Sequence, residues 1–244
     1  MKITAFCPTL NRPGLLPRLI ACFERQTYQN CELIILDDGG QYENQHGDRW
    51  ELISVPRRFR SLGEKNNACV ALASFDSEGI VKADDDDIYM PWWMESMAEA
   101  LSRNPFVQPR KAIDFVDGEW VQIETFNRKQ PDRFAYHGCW GYRRDFFKEI
   151  GGYRAEYAGD DQELDRRVKA KGVRSVGLAE QYQPFYWYNR PLPGRISMRG
   201  GNEDAYRRTG APFTYVPYVG KLPAYAGEEV WNYPVPTKTI QRGW

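Results

Sequence analysis

Hydrophobic and polar positions alternate along the first hundred residues so as to predict strand and helix by turns. Lys2–Cys7 is an apolar run of strand length. Leu15, Leu16, Leu19, Ile20 and Phe23 then share one helical stripe, with Asn11 as candidate cap and Pro13 in the first turn. Glu32–Leu36 reads as a second strand and Trp50–Val55 as a third. Gly63–Ser74 reads as a helix and Gly79–Ala83 as the next strand, and Pro91–Ser102 carries Met94, Met97, Ala98 and Leu101 on one face. Such alternation predicts a parallel, doubly wound α/β sheet.

After Asn104 the pattern changes. Asp114–Ile123 resembles a hairpin turning at Asp117-Gly118. Helical signals return at Asp145–Ile150 and at Asp160–Lys171, the second closed by Gly172. Beyond residue 182 the chain is rich in Pro, Gly, Tyr and Trp without periodicity, which predicts an ordered but irregular tail. The expectation is one domain, residues 1–244, with a ligand-binding half at 1–104, a second half at 105–181 and the tail at 182–244.

Composition narrows the class. The chain has 244 residues, 42% of them hydrophobic, enough for a full core. Its 33 basic and 33 acidic residues cancel, which argues against broad electrostatic binding to nucleic acid or anionic membrane. Neither a signal peptide nor an apolar stretch near the ~20 residues of a membrane span is visible. The five cysteines are odd in number and widely spaced, as in a reducing, cytoplasmic setting. His46 and His137 are the only histidines, so zinc chemistry and histidine triads have little support.

The candidate chemistry starts at Ile80–Pro91, where a short strand runs into Asp84, Asp85, Asp86 and Asp87. Four adjacent anions repel, and a divalent cation would relieve them; a solvated acidic turn is the plainer reading of the run by itself. In an extended backbone Asp84 and Asp86 point the same way and can converge on one ion. Oxygen ligands favour Mg²⁺ or Mn²⁺, which often hold substrate phosphates as well. Ligands of an open parallel sheet bind beyond the carboxyl ends of its strands. Those ends carry Pro8-Thr9-Leu10-Asn11-Arg12, Asp37-Asp38 and Asp84–Asp87, a set suited to a nucleoside diphosphate. No P-loop and no G-x-G-x-x-G is present. Later, Gly159-Asp160-Asp161-Gln162-Glu163 opens a helix. Carboxylates there serve as caps, worth about 0.3–1 kcal/mol, and the same place suits a general base.

These motifs together resemble the GT-A glycosyltransferases, specifically the inverting, metal-dependent family 2 group, over roughly residues 2–200. Pro8-Thr9-Leu10-Asn11-Arg12-Pro13 resembles P-T-x-N-R-P, Gln26-Thr27-Tyr28 resembles Q-T-Y, and Leu36-Asp37-Asp38-Gly39-Gly40 resembles V-D-D-G-S. Lys65-Asn66-Asn67-Ala68 is similar to A-R-N-x-G, Asp84–Pro91 to D-x-D-D-x-x-x-P, Gly151-Gly152-Tyr153 to G-G-F, and Gly159-Asp160-Asp161 to G-E-D. The resemblance implies a Rossmann-like, mostly parallel sheet flanked by helices, with a smaller acceptor-side sheet or hairpin.

It also implies roles. Thr9, Asn11, Arg12, Asp37, Asp38, Lys65, Asn66, Asp84 and Asp85 would hold the donor, with Asp38 on the base. Asp84 and Asp86 would form the D-x-D element, Asp86 being the direct ligand of Mn²⁺ or Mg²⁺. Asp161 would be the catalytic base, and Asp160 and Trp140 would meet the acceptor. The implied reaction is a single inverting displacement from a nucleoside-diphosphate sugar, with a UDP-sugar the first expectation, to a hydroxyl of a glycan or other acceptor. The family's late Y-R-x-H-x-x-S-x-S stretch is matched at Tyr188–Ser197 without its histidine, which leaves Arg190 or Arg195 to neutralise the leaving group.

Other readings stay open at this stage. Trp140, in the stretch Tyr136–Tyr142 with His137 and Cys139, is either a sugar-stacking ring or a core aromatic. Tyr182, Phe185, Tyr186, Trp187 and Tyr188 read as core packing, and with Arg190, Arg195, Arg199, Arg207 and Arg208 they would instead suit a nucleic-acid acceptor. A non-catalytic nucleotide- or sugar-binding module of the same fold would be expected to lack a D-x-D member or the late base, and Asp84, Asp86 and Asp161 are all present. A sugar nucleotidyltransferase would need a Gly-rich triphosphate loop near the N-terminus, which Thr9–Gly14 does not provide.

Overall fold

Ile3–Thr9 forms the first strand, β1, and all of it except Pro8 is buried. A strand apolar on both faces belongs inside a sheet covered by helices on each side. The computed structural model describes residues 1–109, 111–116, 119–124, 137–155, 160–173, 176–177, 186–187 and 214–217, and it has β1 in that central place. Along the chain follow α1 (Leu16–Glu24), β2 (Cys31–Asp37), β3 (Gln45–His46), β4 (Trp50–Ser54), α2 (Leu62–Ala71), β5 (Gly79–Lys82), β6 (Ile88–Tyr89) and α3 (Trp93–Arg103). Then come β7 (Phe106–Gln108), β8 (Lys111–Val116), β9 (Glu119–Glu124), a 3-10 turn at His137–Cys139, β10 (Gly141–Arg143) and α4 (Arg144–Glu149). The last described elements are α5 (Asp160–Ala170), β11 (Val176–Gly177), β12 (Tyr186–Trp187) and β13 (Thr214–Pro217).

The larger sheet has the order β11-β7-β10-β5-β1-β2-β4-β3. Its centre, β5-β1-β2-β4, is parallel as the alternating pattern predicts. β10 enters antiparallel between β5 and β7, and β3 is an antiparallel edge on β4. The pleat sorts side chains to two layers. Ile3, Ala5 and Cys7 of β1 join Leu33, Ile35, Val81 and Ala83 under α1 and α3. Phe6, Ile34, Leu36 and Ile80 face α2, α4 and α5 on the other side.

Helix α1 buries Leu16, Leu19, Cys22 and Phe23, the two leucines and the phenylalanine each contributing about 1.5–3 kcal/mol. Its start differs from the sequence reading. Asn11 is not its cap: the helix begins five residues later, with Pro17 in the first turn, and Asn11 sits at φ 53° in an exposed bend. Asn tolerates that left-handed conformation better than most residues, which explains its place between strand and helix.

A second sheet runs β13-β9-β8-β12-β6. Its β8–β9 pair is the predicted hairpin, in register Val116↔Glu119, while Asp117 and Gly118 lie outside the described residues. The region after residue 182 is not wholly irregular: β12 pairs antiparallel with β6 and β13 with β9. Backbone hydrogen bonding supplied this order where periodicity had given no signal. Strands from 105–181 lie in both sheets, so neither sheet is built from one of the three sequence segments alone.

Candidate active site at the carboxyl rim

Parallel register brings Thr9, the last residue of β1, opposite Asp37, the last of β2. Asp37 organises the turn that follows. Its carboxylate accepts the backbone N–H groups of Gly39 at 3.1 Å and Gln41 at 3.3 Å, and the Ser54 hydroxyl at 2.8 Å. Asp38 is buried and accepts from Arg58 at 2.8 Å, from the Phe59 N–H at 3.1 Å and from the Lys65 ammonium at 2.5 Å. Lys65 is itself buried on α2 and donates also to the Thr9 carbonyl. Asn66 beside it is fully buried. The expectation of Asp38 on a nucleobase therefore meets a carboxylate already engaged by cations, because a buried anion requires such partners.

The acidic run is not extended. The backbone turns through Asp84–Asp87, with the Asp87 N–H donating to the Asp84 carbonyl at 3.4 Å. Asp84 receives the ammonium of Lys82, a residue whose side chain is only 3% exposed. Asp85 accepts the Thr9 hydroxyl at 2.6 Å and Arg12 Nη1 at 2.5 Å, and the same nitrogen lies 3.1 Å from Asp86. Alternation thus does not govern how Asp84 and Asp86 relate, and the Thr9 hydroxyl is directed to Asp85. Burial pushes the Asp85 carboxyl above the ordinary range, with Arg12 and Thr9 opposing. Burial first, then the negative field of Asp87 and Asp84, raises the Cys139 thiol well above its usual value. Sequence reading missed Lys82 and Arg58. The signal for Lys82 was a single cation inside the apolar strand Ile80-Val81-Lys82-Ala83.

Conserving the turn's position falls to residues outside it. Tyr89 accepts the Asp84 N–H at 2.7 Å and donates to the Gly138 carbonyl at 2.8 Å. Gln26 donates to the Met90 carbonyl and accepts the Met94 N–H, both at 2.9 Å, while the Thr27 N–H meets the Pro91 carbonyl at 2.8 Å. The Gln26-Thr27 pair therefore fastens the segment leaving the acidic run to the end of α1.

The later half is tied to α2 by close backbone approach. A Cβ on Gly63 would lie 1.8 Å from the Arg154 carbonyl oxygen, so only glycine fits there. Asn67 bonds both backbone groups of Tyr153, at 2.7 and 2.9 Å. Arg167 of α5 donates to the carbonyls of Ile150 and Gly152 and pairs with buried Glu163, which Arg154 also meets at 3.1 Å. Leu164 and Val168 seat α5 in the core layer that contains Phe6. Asp161, in the first turn, is half-buried and accepts the Gln162 N–H at 2.8 Å. Asp160 is the first residue of that helix, and its side chain lies outside the described residues.

Trp140 is 5% exposed and packs edge-on against Phe106 and His137, with ring centroids 5.5 and 4.8 Å apart. This is the core reading of the residue. His137 has a ring nitrogen 3.0 Å from the Tyr153 hydroxyl. Arg190, Arg195, Arg199, Arg207, Arg208, Tyr136, Tyr182, Phe185 and Tyr188 lie outside the described residues, as do the side chains of Tyr186 and Trp187. No helix among the described residues is long and apolar enough to cross a membrane.

Comparison with known proteins follows the same outline. The chain is 27% identical over 145 residues to the uncharacterized glycosyltransferase YwdF of Bacillus subtilis, covering 55% of this chain and 47% of that one. It is 25% identical over 104 residues to an uncharacterized glycosyltransferase of Haemophilus influenzae, covering 42% and 35%. It therefore spans less than half the length of these relatives. Among solved structures it is similar to Staphylococcus aureus TarS 1–349 in complex with UDP-GlcNAc, with a TM-score of 0.60, 14% identity and coverage of 79% and 59%. It is similar also to the mannosyltransferase PcManGT of Pyrobaculum calidifontis in complex with GDP-Man and Mn²⁺, with a TM-score of 0.57, 14% identity and coverage of 79% and 58%. At these identities the two structures speak for the fold. The description of glycosyl transferase family 2 matches residues 4–151, more than half of the sequence, and the chain belongs to that family.

Proposed function

We propose that this chain transfers a sugar from a nucleoside-diphosphate sugar to an acceptor hydroxyl with inversion, Asp161 serving as the base. The observation that carries this reading is the meeting of three strand ends through Thr9, Lys65 and Arg12, which link Asp38 and the acidic turn. In the displacement the acceptor oxygen bonds to the anomeric carbon as that carbon's bond to the diphosphate oxygen breaks, and Asp161 takes the hydroxyl proton. A carboxylate held by the first turn of a helix has a fixed position from which to accept a proton, which suits a base. Arg12 and Lys65 supply positive charge beside the rim where the departing diphosphate would lie.

Asp84 and Asp86 offer the oxygen-only chemistry that Mg²⁺ or Mn²⁺ takes, and Asp84 keeps 37% of its side chain exposed at the rim. Among the described residues no group of three His, Cys, Asp or Glu stands ready for a metal. That fits an ion held by one or two carboxylates together with substrate phosphates. Bound there, a divalent cation would act as a Lewis acid on the charge developing at the leaving group.

The donor is expected to be a UDP-sugar; the similar structures carry UDP-GlcNAc in one case and GDP-Man in the other, so both bases belong in the test. Calorimetric titration of UDP and GDP with and without Mn²⁺, on the parent and on Asp86→Ala, decides the donor half. Mn²⁺-dependent binding that Asp86→Ala abolishes supports the reading. Binding of GDP alone changes the donor and keeps the reaction. If no nucleoside diphosphate binds with metal, the transferase proposal fails and the acidic run is a structural turn.

A further inference from the structure

A lysine buried at the end of an otherwise apolar strand needs a reason. Lys82 lies on β5 between Val81 and Ala83, opposite Phe6 of β1, and its side chain is only 3% exposed. Neighbours on both sides fix its backbone: its N–H donates to the Trp140 carbonyl at 2.8 Å, and the next N–H, that of Ala83, to the Phe6 carbonyl at 2.9 Å. Its ammonium reaches Asp84 and approaches the Ala83 carbonyl at 3.4 Å. Arg12 does the corresponding work one residue on, at 2.5 Å from Asp85 and 3.1 Å from Asp86. The carboxylates that could hold a divalent cation thus already carry protein cations. A metal ion arriving alone would share Asp84 with a buried like charge.

We propose that Lys82 is a positioning residue that stands in for the metal on Asp84, so that the divalent cation enters together with the donor diphosphate and not ahead of it. This rests on the donor site proposed above. The diphosphate brings the negative charge that the ion lacks at the rim, and Lys82 keeps Asp84 aimed there until the pair arrives. A lysine that merely neutralised Asp84 for folding would make no difference between metal alone and metal with nucleotide.

The test measures Mn²⁺ affinity, by the electron paramagnetic resonance signal of the free ion, with and without saturating UDP. The parent protein is expected to bind Mn²⁺ weakly alone and far more tightly with UDP. Lys82→Met removes the like charge beside Asp84 and is expected to bind Mn²⁺ alone about tenfold more tightly. Lys82→Arg is expected to restore the parent's behaviour. Unchanged or weakened binding of Mn²⁺ alone by Lys82→Met overturns the proposal. Asp84→Asn in the parent provides a second reading should the methionine variant not fold. It is expected to change Mn²⁺ binding alone less than about twofold while cutting binding in the presence of UDP; equal losses in both conditions overturn the proposal. A parent that binds Mn²⁺ with UDP but fails these comparisons defeats the role of Lys82 and leaves the transferase standing. A parent that binds no nucleoside diphosphate with metal defeats both.

Discussion

Gln26 accepts the Met94 N–H at 2.9 Å through its side-chain oxygen, joining the end of α1 to the start of α3 across the segment that leaves the acidic turn. The same side chain donates to the carbonyls of Cys22 and Met90, each at 2.9 Å, and is itself buried. Replacing it leaves buried backbone groups unsatisfied. Gln26→Ala is expected to lower stability by about 2 kcal/mol or more, read as a shift of the urea midpoint. Hydrogen exchange should quicken at Met94 first, and a midpoint unchanged from the parent would refute this account.

Gly63 has no room for a side chain. Its added Cβ would meet the Arg154 carbonyl at 1.8 Å, and backbone cannot yield as a flexible side chain can. Gly63→Ala should push α2 away from the loop at 151–154 and cost about 2–4 kcal/mol. Thermal unfolding tests this. An alanine variant as stable as the parent would mean that the two segments are not packed as described.

Asp85 makes stability depend on pH in a particular direction. Its folded-state pKa is raised, mainly by burial, so between the unfolded value of about 4 and the folded value the native state holds more protons than the unfolded one. Its contribution to stability then falls as pH rises through that window and is regained on acidification. Comparing urea midpoints of the parent and Asp85→Asn just above the ordinary carboxylate range should show the parent losing ground as pH rises. Parallel curves would contradict it.

Asp161→Asn keeps shape and removes the basic group. If Asp161 accepts the acceptor's proton, kcat should drop by about 10²–10⁴-fold with UDP affinity unchanged by calorimetry. A variant that retains more than a tenth of the activity excludes Asp161 as the base.

The cysteines should be unreactive. Burial pushes the Cys69 thiol up to about 12 and Cys31 up to about 11, and Cys7 and Cys139 well above their usual value. Since the thiolate is the reacting form, a disulfide reagent near neutral pH should label the native protein slowly. After urea unfolding it should label all five thiols quickly. Rapid stoichiometric labelling of the native protein would show that the thiols are more accessible than their burial indicates.

How much was legible in the sequence differs by residue. The runs Lys2–Cys7, Glu32–Leu36 and Gly79–Ala83 read as strands because each is apolar and short, their parallel pairing followed from the helices between them, and the strands stand at Ile3–Thr9, Cys31–Asp37 and Gly79–Lys82. The stripe of α3 at Met94, Met97, Ala98 and Leu101 is buried as its spacing predicts. Two cases went otherwise. Asn11 carries the composition of a cap, yet the chain needs a left-handed bend there before α1 begins. Tyr186–Trp187 has no period to read, and its strand identity comes from hydrogen bonding to β6, a segment about a hundred residues earlier.

By itself the sequence determined which polar residues stand at strand ends, because strand length and apolar character are local, and local signals survive in a linear reading. It also placed Asp161 in the first turn of a helix, for the same reason. Tertiary structure alone decided which charges meet. Arg12 reaches Asp85 across 73 positions and Lys65 reaches Asp38 across 27, and no local pattern predicts such pairs. Of the four carboxylates, which as a string call for an external cation, Asp84, Asp85 and Asp86 are approached in the fold by Lys82 and Arg12, because burying a charge requires an opposite charge nearby and only folding brings it there.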